Sequence, residues 1–256
     1  MGILDEFNLS GKRAVITGGG KGIGRGIALC LAEAGADVMV SARTPDDVES
    51  VAAEVQQLGR NGVGHVCDVT EPGALEELAQ ACVDQLGGLD IWVSNAGGLP
   101  DATARYLTRT DRAQWQAQID LNLTAVFEGS VAAASHMSEG ASIINISSGA
   151  ASGPQLKNGP YGASKAAANS LTQTLSVELA PAVRVNAVSP GPVPTQNFID
   201  STGYEGDRKE MIDKQMRIPL GRIGSERDIG AAVVFLSSPA ASWITGQVLL
   251  VNGGRG

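Results

Sequence analysis

The sequence predicts an α/β protein, an open parallel sheet with helices on both faces, and two observations carry that prediction. Short apolar, β-rich runs alternate along the chain with longer segments of helical period, the pattern of repeated βα units. Several of the runs are nearly continuous in apolar residues, as strands covered on both faces must be. At 256 residues the chain suits one large domain, 1–256, with ample length to bury a core, and no repeat, low-complexity tract or linker divides it.

In chain order, RAVIT at 13–17 is the first strand and 23–34 the first helix; DVMVS at 37–41 is followed by a helix at 45–58. VGHVC at 63–67 leads to a helix at 72–86, and LDIWVS at 89–94 to a long helical segment at 111–137. SIINI at 142–146 precedes a helix at 160–180, VRVNAV at 183–188 precedes one at 225–237, and QVLLV at 247–251 closes the sheet. One irregular stretch, 190–224, opens with SPGPVPT and carries Phe198, Tyr204, Met211 and Met216 among mixed charges. Its length exceeds an ordinary connection, so residues 192–220 read as a lid over a site, with a plain surface insertion as the alternative.

Charge and composition exclude several classes. At net −8 and a pI of about 4.8 the chain lacks the electrostatic footprint of a nucleic-acid binder, and an anionic membrane would repel it. No run approaches the length of apolar residues that spans a bilayer. Cys30, Cys67 and Cys82 are an odd, scattered set with no C-x-x-C and no signal peptide ahead of them, which favours a reducing cytoplasm. His65 and His136 have no Cys or second His at ligand spacing, so no metal site is expected.

Two constellations carry chemistry. In VITGGGKGIG, G-x-G-x-x-G fits no frame of residues 18–26 and the phosphate-loop pattern fails because Gly22 follows Lys21; what fits is T-G-x-x-x-G-x-G at Thr17, Gly18, Gly22 and Gly24. Glycines between a strand and a helix let backbone amides approach a pyrophosphate, which gains the orphan N–H groups and the helix dipole. In SSGAASGPQLKNGPYGASK, Tyr161 and Lys165 stand four apart on one helix face, and Ser147 and Ser148 close a strand thirteen or fourteen residues earlier. Either motif alone fits an ordinary turn or an ordinary exposed helix; together they do not.

With these motifs the chain resembles the short-chain dehydrogenase/reductase family in its common, non-extended form. The resemblance covers essentially the whole length: the glycine motif at 17–24, Asp68 after the third strand, NAG at 95–97, Asn122 in DLNL, Ser148, Y-x-x-x-K at 161–165, PG at 190–191 and a final VNGG. It implies a Rossmann-type doubly wound sheet of seven parallel strands, a bound nicotinamide cofactor, a homotetramer, and a catalytic tetrad of Asn122, Ser148, Tyr161 and Lys165. Asn252 departs from the Asp that many members carry there, away from the tetrad. By matching position, Gly18, Lys21, Gly22, Ile23 and Gly24 meet the cofactor at the turn. Asp68 and Val69 meet the adenine edge, and Asn95, Ala96 and Gly97 flank the adenine ribose and sheet end. Pro190, Gly191, Val193 and Thr195 cover the nicotinamide, and Tyr161 and Lys165 touch the cofactor as well. The serine spacing matches the family at Ser148, with Ser147 as the adjacent alternative.

The chemistry can be argued from the residues. Hydride transfer at a carbonyl carbon requires a proton on or off its oxygen, and a phenol near pKa 10 is a poor base at neutral pH. Lowering it by about three units takes roughly 4 kcal/mol, about what an ammonium near 4 Å gives at an effective dielectric of about 20. Lys165 is therefore expected to tune Tyr161, the proton carrier. Ser148 is expected to hydrogen-bond the substrate oxygen, and Asn122 to hold a water that relays protons from Lys165. The alternative for Asn122 is a solvated polar face. A cofactor-binding sensor that does not turn over is the other function class, discriminated by the completeness of the tetrad.

The second strand ends VMVSAR, so Ala42 takes the place of the acid that hydrogen-bonds a ribose 2′-OH, and Arg43 follows; Asp46 and Asp47 come only after Thr44 and Pro45 turn the chain. Singly, Arg43 and Lys21 fit solvated surface charges. Jointly they put two cations where a 2′-phosphate would sit, which favours NADP(H) over NAD(H). The substrate is expected to be a free small ketone or secondary alcohol, alicyclic or hydroxysteroid-like. The tail SPAASWITGQVLLVNGG is similar to bacterial hydroxysteroid dehydrogenases. The alternative, a 3-oxoacyl-[acyl-carrier-protein] reductase, needs a basic docking patch, whereas HMSEGAS and SVELAPA carry Glu139 and Glu178.

Overall fold

The computed structural model describes residues 2–100, 105–195 and 218–254. Seven parallel strands form one sheet in the order β3-β2-β1-β4-β5-β6-β7. The strands are β1 Arg13–Thr17, β2 Asp37–Ala42, β3 Gly62–Val66, β4 Ile91–Ser94, β5 Ala141–Ile146, β6 Val183–Pro190 and β7 Val248–Val251. The helices are α1 Gly22–Glu33, α2 Pro45–Gln57, α3 Ala74–Leu86, α4 Arg112–Ile119, α5 Ala125–His136, α6 Gly159–Glu178 and α7 Glu226–Ser237.

Alternate strand residues feed two cores, because successive side chains leave a strand on opposite faces. On one face Ile16, Val38, Val40, Val93 and Ile144 pack against Ile27 and Leu31 of α1, Val51 of α2 and Ile229 and Val233 of α7. On the other, Val15, Met39, Trp92, Ile143 and Val185 meet Leu78 of α3, Ala132 of α5 and Leu175 of α6. The central strands β4 and β5 are buried along their whole length because each face has its own layer to fill.

The segment expected as one helix at 111–137 is continuously helical from 112 to 136 but carries a π turn in its middle. Asp120–Thr124 form a π-helical turn between α4 and α5. Such a turn adds a residue to the helix and shifts the phase of everything after it. Among the described residues no helix is long and apolar enough to cross a membrane. Cys30, Cys67 and Cys82 are all buried free thiols.

Candidate active site

The predicted residues gather at the carboxyl ends of β1, β4, β5 and β6, where β1 pairs with β2 on one side and β4 on the other. That reversal of strand order is where an open α/β sheet leaves a crevice. After Thr17 the chain turns through Gly18 (φ 63) and Gly22 (φ 55), both in the left-handed region. A methyl group on Gly24 would strike the carbonyl of Gly18, so the turn closes on the start of α1 only with glycine there. Lys21, exposed, is the N-cap of α1 and gives no side-chain cap, so the first amides of the helix keep the donors that an anion satisfies. Gly18, Gly22, Ile23 and Gly24 thus fit a pyrophosphate.

Asn95 does something the sequence did not suggest. Its side-chain amide donates to Thr17 O (2.9 Å) and Gly18 O (3.0 Å), and Thr17 Oγ1 accepts from the amides of Asn95 and Ala96, both at 3.0 Å. The side chain is therefore spent on bracing the glycine turn, a positioning role. The signal was present in the sequence as Thr17, the first residue of the glycine motif.

At the end of β2, a methyl on Gly20 would stand 3.3 Å from Ala42 Cβ, so the residues preceding Lys21 and Arg43 are neighbours. Arg43 is 80% exposed and lies 3.9 Å from the Asp68 carboxylate. Asp68 accepts from Thr70 N (3.0 Å) and Thr70 Oγ1 (2.7 Å). Burial works to raise the Asp68 pKa, but those bonds and Arg43 outweigh it and hold the carboxyl below its ordinary value. Val69 beside it is buried. Asp47 is not carried away by the turn at Pro45: the same methyl on Gly20 would meet Asp47 Cβ at 2.7 Å.

The four tetrad candidates converge. Ser148 caps a short 3-10 turn, its hydroxyl accepting from Ala150 N at 3.2 Å, and it also hydrogen-bonds the Tyr161 phenol. Ser147 is buried, and its hydroxyl has no hydrogen-bond partner among the described residues. Lys165 Nζ lies 5.9 Å from the centroid of the Tyr161 ring and donates to Ile146 O at 2.9 Å. Asn122 is fully buried, which removes the alternative of a solvated face. Its Oδ1 accepts from Gly98 N at 2.9 Å, and its Nδ2 donates to Gly98 O (2.9 Å), Gln118 O (3.1 Å) and Gln118 Oε1 (3.0 Å). Gly97 is where Asn122 and Lys165 meet: a Cβ there would lie 2.9 Å from Asn122 Oδ1 and 3.1 Å from Lys165 Nζ. Gln118 was missed because its partner sits in the π turn, which nothing in the hydrophobic period announces.

The expected depression of the Tyr161 pKa is absent from the protein alone. Burial raises the phenol, and the Ser148 hydrogen bond opposes it only in part. Lys165, 3% exposed, is itself pushed down from 10.5 to about 8 by burial. Both groups are desolvated, and at 5.9 Å from the ring the ammonium does not overcome that.

The 190–195 loop closes the other side. A Cβ on Gly149 would lie 3.8 Å from Pro190 O, and one on Gly22 would lie 3.0 Å from Thr195 Cγ2. Val193 is buried, and Thr195 N donates to Val193 O at 2.7 Å. Asn252 is not remote from this machinery: a Cβ on Gly191 would stand 2.6 Å from Asn252 Cα, so it backs the loop. Of the expected lid at 192–220, residues 196–217, with Phe198, Tyr204, Met211 and Met216, lie outside the described residues.

Glu139 and Glu178 do not flank the site. Glu139 precedes β5 at the end opposite Ser148, and Glu178 ends α6, seventeen residues beyond Tyr161, about 25 Å along the helix. Among the described residues, two basic ones lie beside the start of α6: Lys157, and Arg105, whose amide donates to Lys157 O at 3.0 Å.

Comparison with known proteins shows the family and the fold. A family model described as enoyl-(acyl carrier protein) reductase matches residues 18–255. The 7α-hydroxysteroid dehydrogenase of Escherichia coli K12 is 36% identical over 98% of this chain and 96% of its own. A 7α-hydroxysteroid dehydrogenase solved with NADH and 7-oxo glycochenodeoxycholic acid superposes with a TM-score of 0.89 at 35% identity, covering 100% of this chain and 98% of that one. The 3-oxoacyl-[acyl-carrier-protein] reductase of Vibrio cholerae is also 36% identical, over 97% of this chain and 98% of its own. A short-chain dehydrogenase of Burkholderia cenocepacia solved with NADP superposes with a TM-score of 0.87 at 33% identity, covering 97% of this chain and 99% of that one.

Proposed function

Because the chain belongs to the short-chain dehydrogenase/reductase family and is an NAD(P)-dependent oxidoreductase of CH–OH groups, we propose that it interconverts a free alicyclic or hydroxysteroid-like ketone and its secondary alcohol, with NADP(H) favoured over NAD(H). The observation that carries this reading is the meeting of Lys165 and Asn122 at Gly97, with Lys165 Nζ 5.9 Å from the centroid of the Tyr161 ring. When bound, the nicotinamide ring supplies or accepts the hydride. Gly18, Lys21, Gly22, Ile23 and Gly24 hold the pyrophosphate end, and Arg43 with Lys21 takes the 2′-phosphate at Ala42. Asp68, Val69, Asn95, Ala96 and Gly97 border the adenosine half, and Pro190, Gly191, Val193 and Thr195 border the nicotinamide half. As hydride reaches the carbonyl carbon, Tyr161 Oη gives its proton to the carbonyl oxygen, and Ser148 Oγ stabilises the charge developing there. Lys165 favours the phenolate left behind, and Asn122 Oδ1 holds the water through which that proton is replaced.

The hydroxysteroid-like substrate is supported by the 36% identity to the Escherichia coli enzyme. The equal identity to the Vibrio reductase supports the acyl-carrier alternative. Kinetics with cyclic ketones beside an acyl-carrier thioester decide between them: a much larger kcat/KM for the thioester overturns the proposal. Tight dinucleotide binding without turnover of any ketone would leave the non-catalytic sensor. The single domain and cytoplasmic residence belong to the same reading, as does a homotetramer, supported by exposed Phe127 and Val131 on α5 and Val177 on α6.

Lys165→Met is expected to lower turnover by about a hundredfold or more and to weaken dinucleotide binding. It also changes stability in a defined direction. Lys165 titrates near 8 in the fold against an ordinary 10.5, so between those pH values the unfolded chain binds more protons and wild-type stability rises with pH. The variant lacks that rise, worth about 3 kcal/mol at most. Urea unfolding of both proteins at the two ends of the window measures it, and parallel curves would refute the burial of a charged Lys165.

Gln118 is read as a positioning residue that fixes the Asn122 amide with Oδ1 toward Gly97. Gln118→Leu is expected to lower kcat about fivefold, the equivalent of one neutral hydrogen bond, and to change the pH profile of kcat. Gln118→Glu keeps the acceptor and restores both; a uniform loss in the two variants would mark a merely structural role.

A further inference from the structure

The structure assigns a second recognition element to the site: we propose that Arg109 and Lys157, gathered on the ring of Tyr106, bind an anionic group, a carboxylate or sulfate, carried by the ketone or alcohol that reacts at Tyr161. The inference rests on the reading of Tyr161 as the reacting centre and adds the charge of the substrate to it.

The geometry begins with the backbone. Lys157 is the one non-glycine residue with positive φ (65) among the described residues, a conformation that costs free energy and persists where the surroundings enforce it. Its carbonyl accepts from Arg105 N at 3.0 Å, tying the loop before α6 to the segment before α4. Leu107 completes the joint, since a Cβ on Gly159 would lie 3.2 Å from Leu107 Cδ1. Gly159 begins α6, two residues before Tyr161. The rim is thus fixed at the start of the helix that carries Tyr161.

The side chains then concentrate positive charge. Lys157 Nζ lies 5.4 Å from the Tyr106 ring centroid, and Arg109 Cζ lies 5.8 Å from the same centroid. An aromatic face holds a cation without neutralising it. Neither cation has a carboxylate partner within ion-pair distance among the described residues. Nearby Asp111 caps α4, its carboxylate accepting from Gln114 N at 2.8 Å. Leu107 also lines a neighbouring open cleft of about 420 Å³, shared with Thr110, Asp111, Arg112, Trp115 and Gln116, whose wall mixes polar groups with the apolar surface of Leu107 and Trp115. In a chain of net −8, two like charges sharing one ring are an arrangement that an anion stabilises. The overall negative charge opposes the approach of an acidic carrier protein at long range. A small anion responds to the local cations within a Debye length of about 8 Å, which is why the proposal commits to a small molecule.

The test compares 4-oxocyclohexanecarboxylate with neutral 4-methylcyclohexanone, using the wild type and the double variant Lys157→Asn, Arg109→Gln. Asn tolerates the left-handed backbone, so the variant keeps the loop. The wild type is expected to reduce the anionic ketone with a kcat/KM about tenfold or more above the neutral one, an advantage that shrinks as ionic strength rises and is lost in the variant. Turnover of the neutral ketone reports that the variant is folded. Equal handling of the two ketones by the wild type, an advantage that survives the double substitution, or a preference for an acyl-carrier thioester over both would overturn the proposal. Calorimetric binding of cyclohexanecarboxylate separates this idea from the catalytic reading. If no ketone turns over, saturable binding lost in the double variant upholds the anion site while the catalytic reading falls. The absence of binding to the wild type overturns the site.

Discussion

Tyr161→Phe is expected to bind the dinucleotide with an affinity close to that of the wild type while losing turnover by at least about a hundredfold, the lower end of what a positioned general acid contributes. The ring is half-buried on α6 beside Lys165, and a phenylalanine keeps that packing. What disappears is the hydroxyl that Ser148 contacts and that carries the proton. Because burial raises the phenol in the protein alone, Tyr161 enters the reductive direction protonated over the whole neutral range. In that direction kcat is therefore expected to fall only at alkaline pH. Stopped-flow turnover together with fluorescence titration of the dinucleotide checks both halves. A variant that keeps more than a tenth of wild-type turnover would show that another group delivers the proton.

The second large effect concerns the choice of dinucleotide. Wild-type protein is expected to bind NADPH about a hundredfold more tightly than NADH, since each charge-assisted contact to a phosphate is worth roughly 1.5–3 kcal/mol before screening. Arg43 is free to make that contact: its ion pair with Asp68 is long, at 3.9 Å, and the side chain is 80% exposed, conditions under which a pair contributes little. Asp47, held against Gly20, limits the preference by placing a carboxylate near the same turn. Ala42→Asp combined with Arg43→Leu puts an acid at the end of β2, removes the cation and should reverse the order. Dissociation constants for both dinucleotides at physiological salt, in wild type and variant, measure this. Equal affinities in the wild type would end the assignment of Lys21 and Arg43 and leave the catalytic residues untouched.

Much of the sheet was legible because its strands are buried on both faces and read as apolar runs. RAVIT occupies β1 at the residues expected, and β2 extends the expected run by one residue, to Ala42. The pairing of Tyr161 with Lys165 was legible because the two lie one helical turn apart and stay so when α6 forms. What the sequence hid has a common cause. The π turn at Asp120–Thr124 changes no residue's polarity, so the helical period from 111 to 137 looks continuous although its phase shifts. Charges were misplaced for a similar reason: Glu139 is near Ser148 in sequence, but a six-residue strand lies between them and puts them at opposite ends of the sheet. Asn95 was read as flanking the adenine ribose, and the hydrogen bonds from its amide to two backbone carbonyls stayed hidden because only the folded turn creates those acceptors.

The short loop after β4 has a consequence for how this protein can change. Within four residues it grips the glycine turn through Asn95 and Ala96 at one end and Asn122 through Gly98 at the other. A substitution at Thr17 and a substitution at Gln118 therefore act on the same piece of backbone from opposite sides, and groups that share such a support do not contribute additively. Dinucleotide choice at the end of β2 lies outside this grip, and so does the basic rim at Tyr106. Over evolutionary time those two surfaces can be exchanged independently, while the residues joined through Asn95 to Gly98 are constrained to drift as a set.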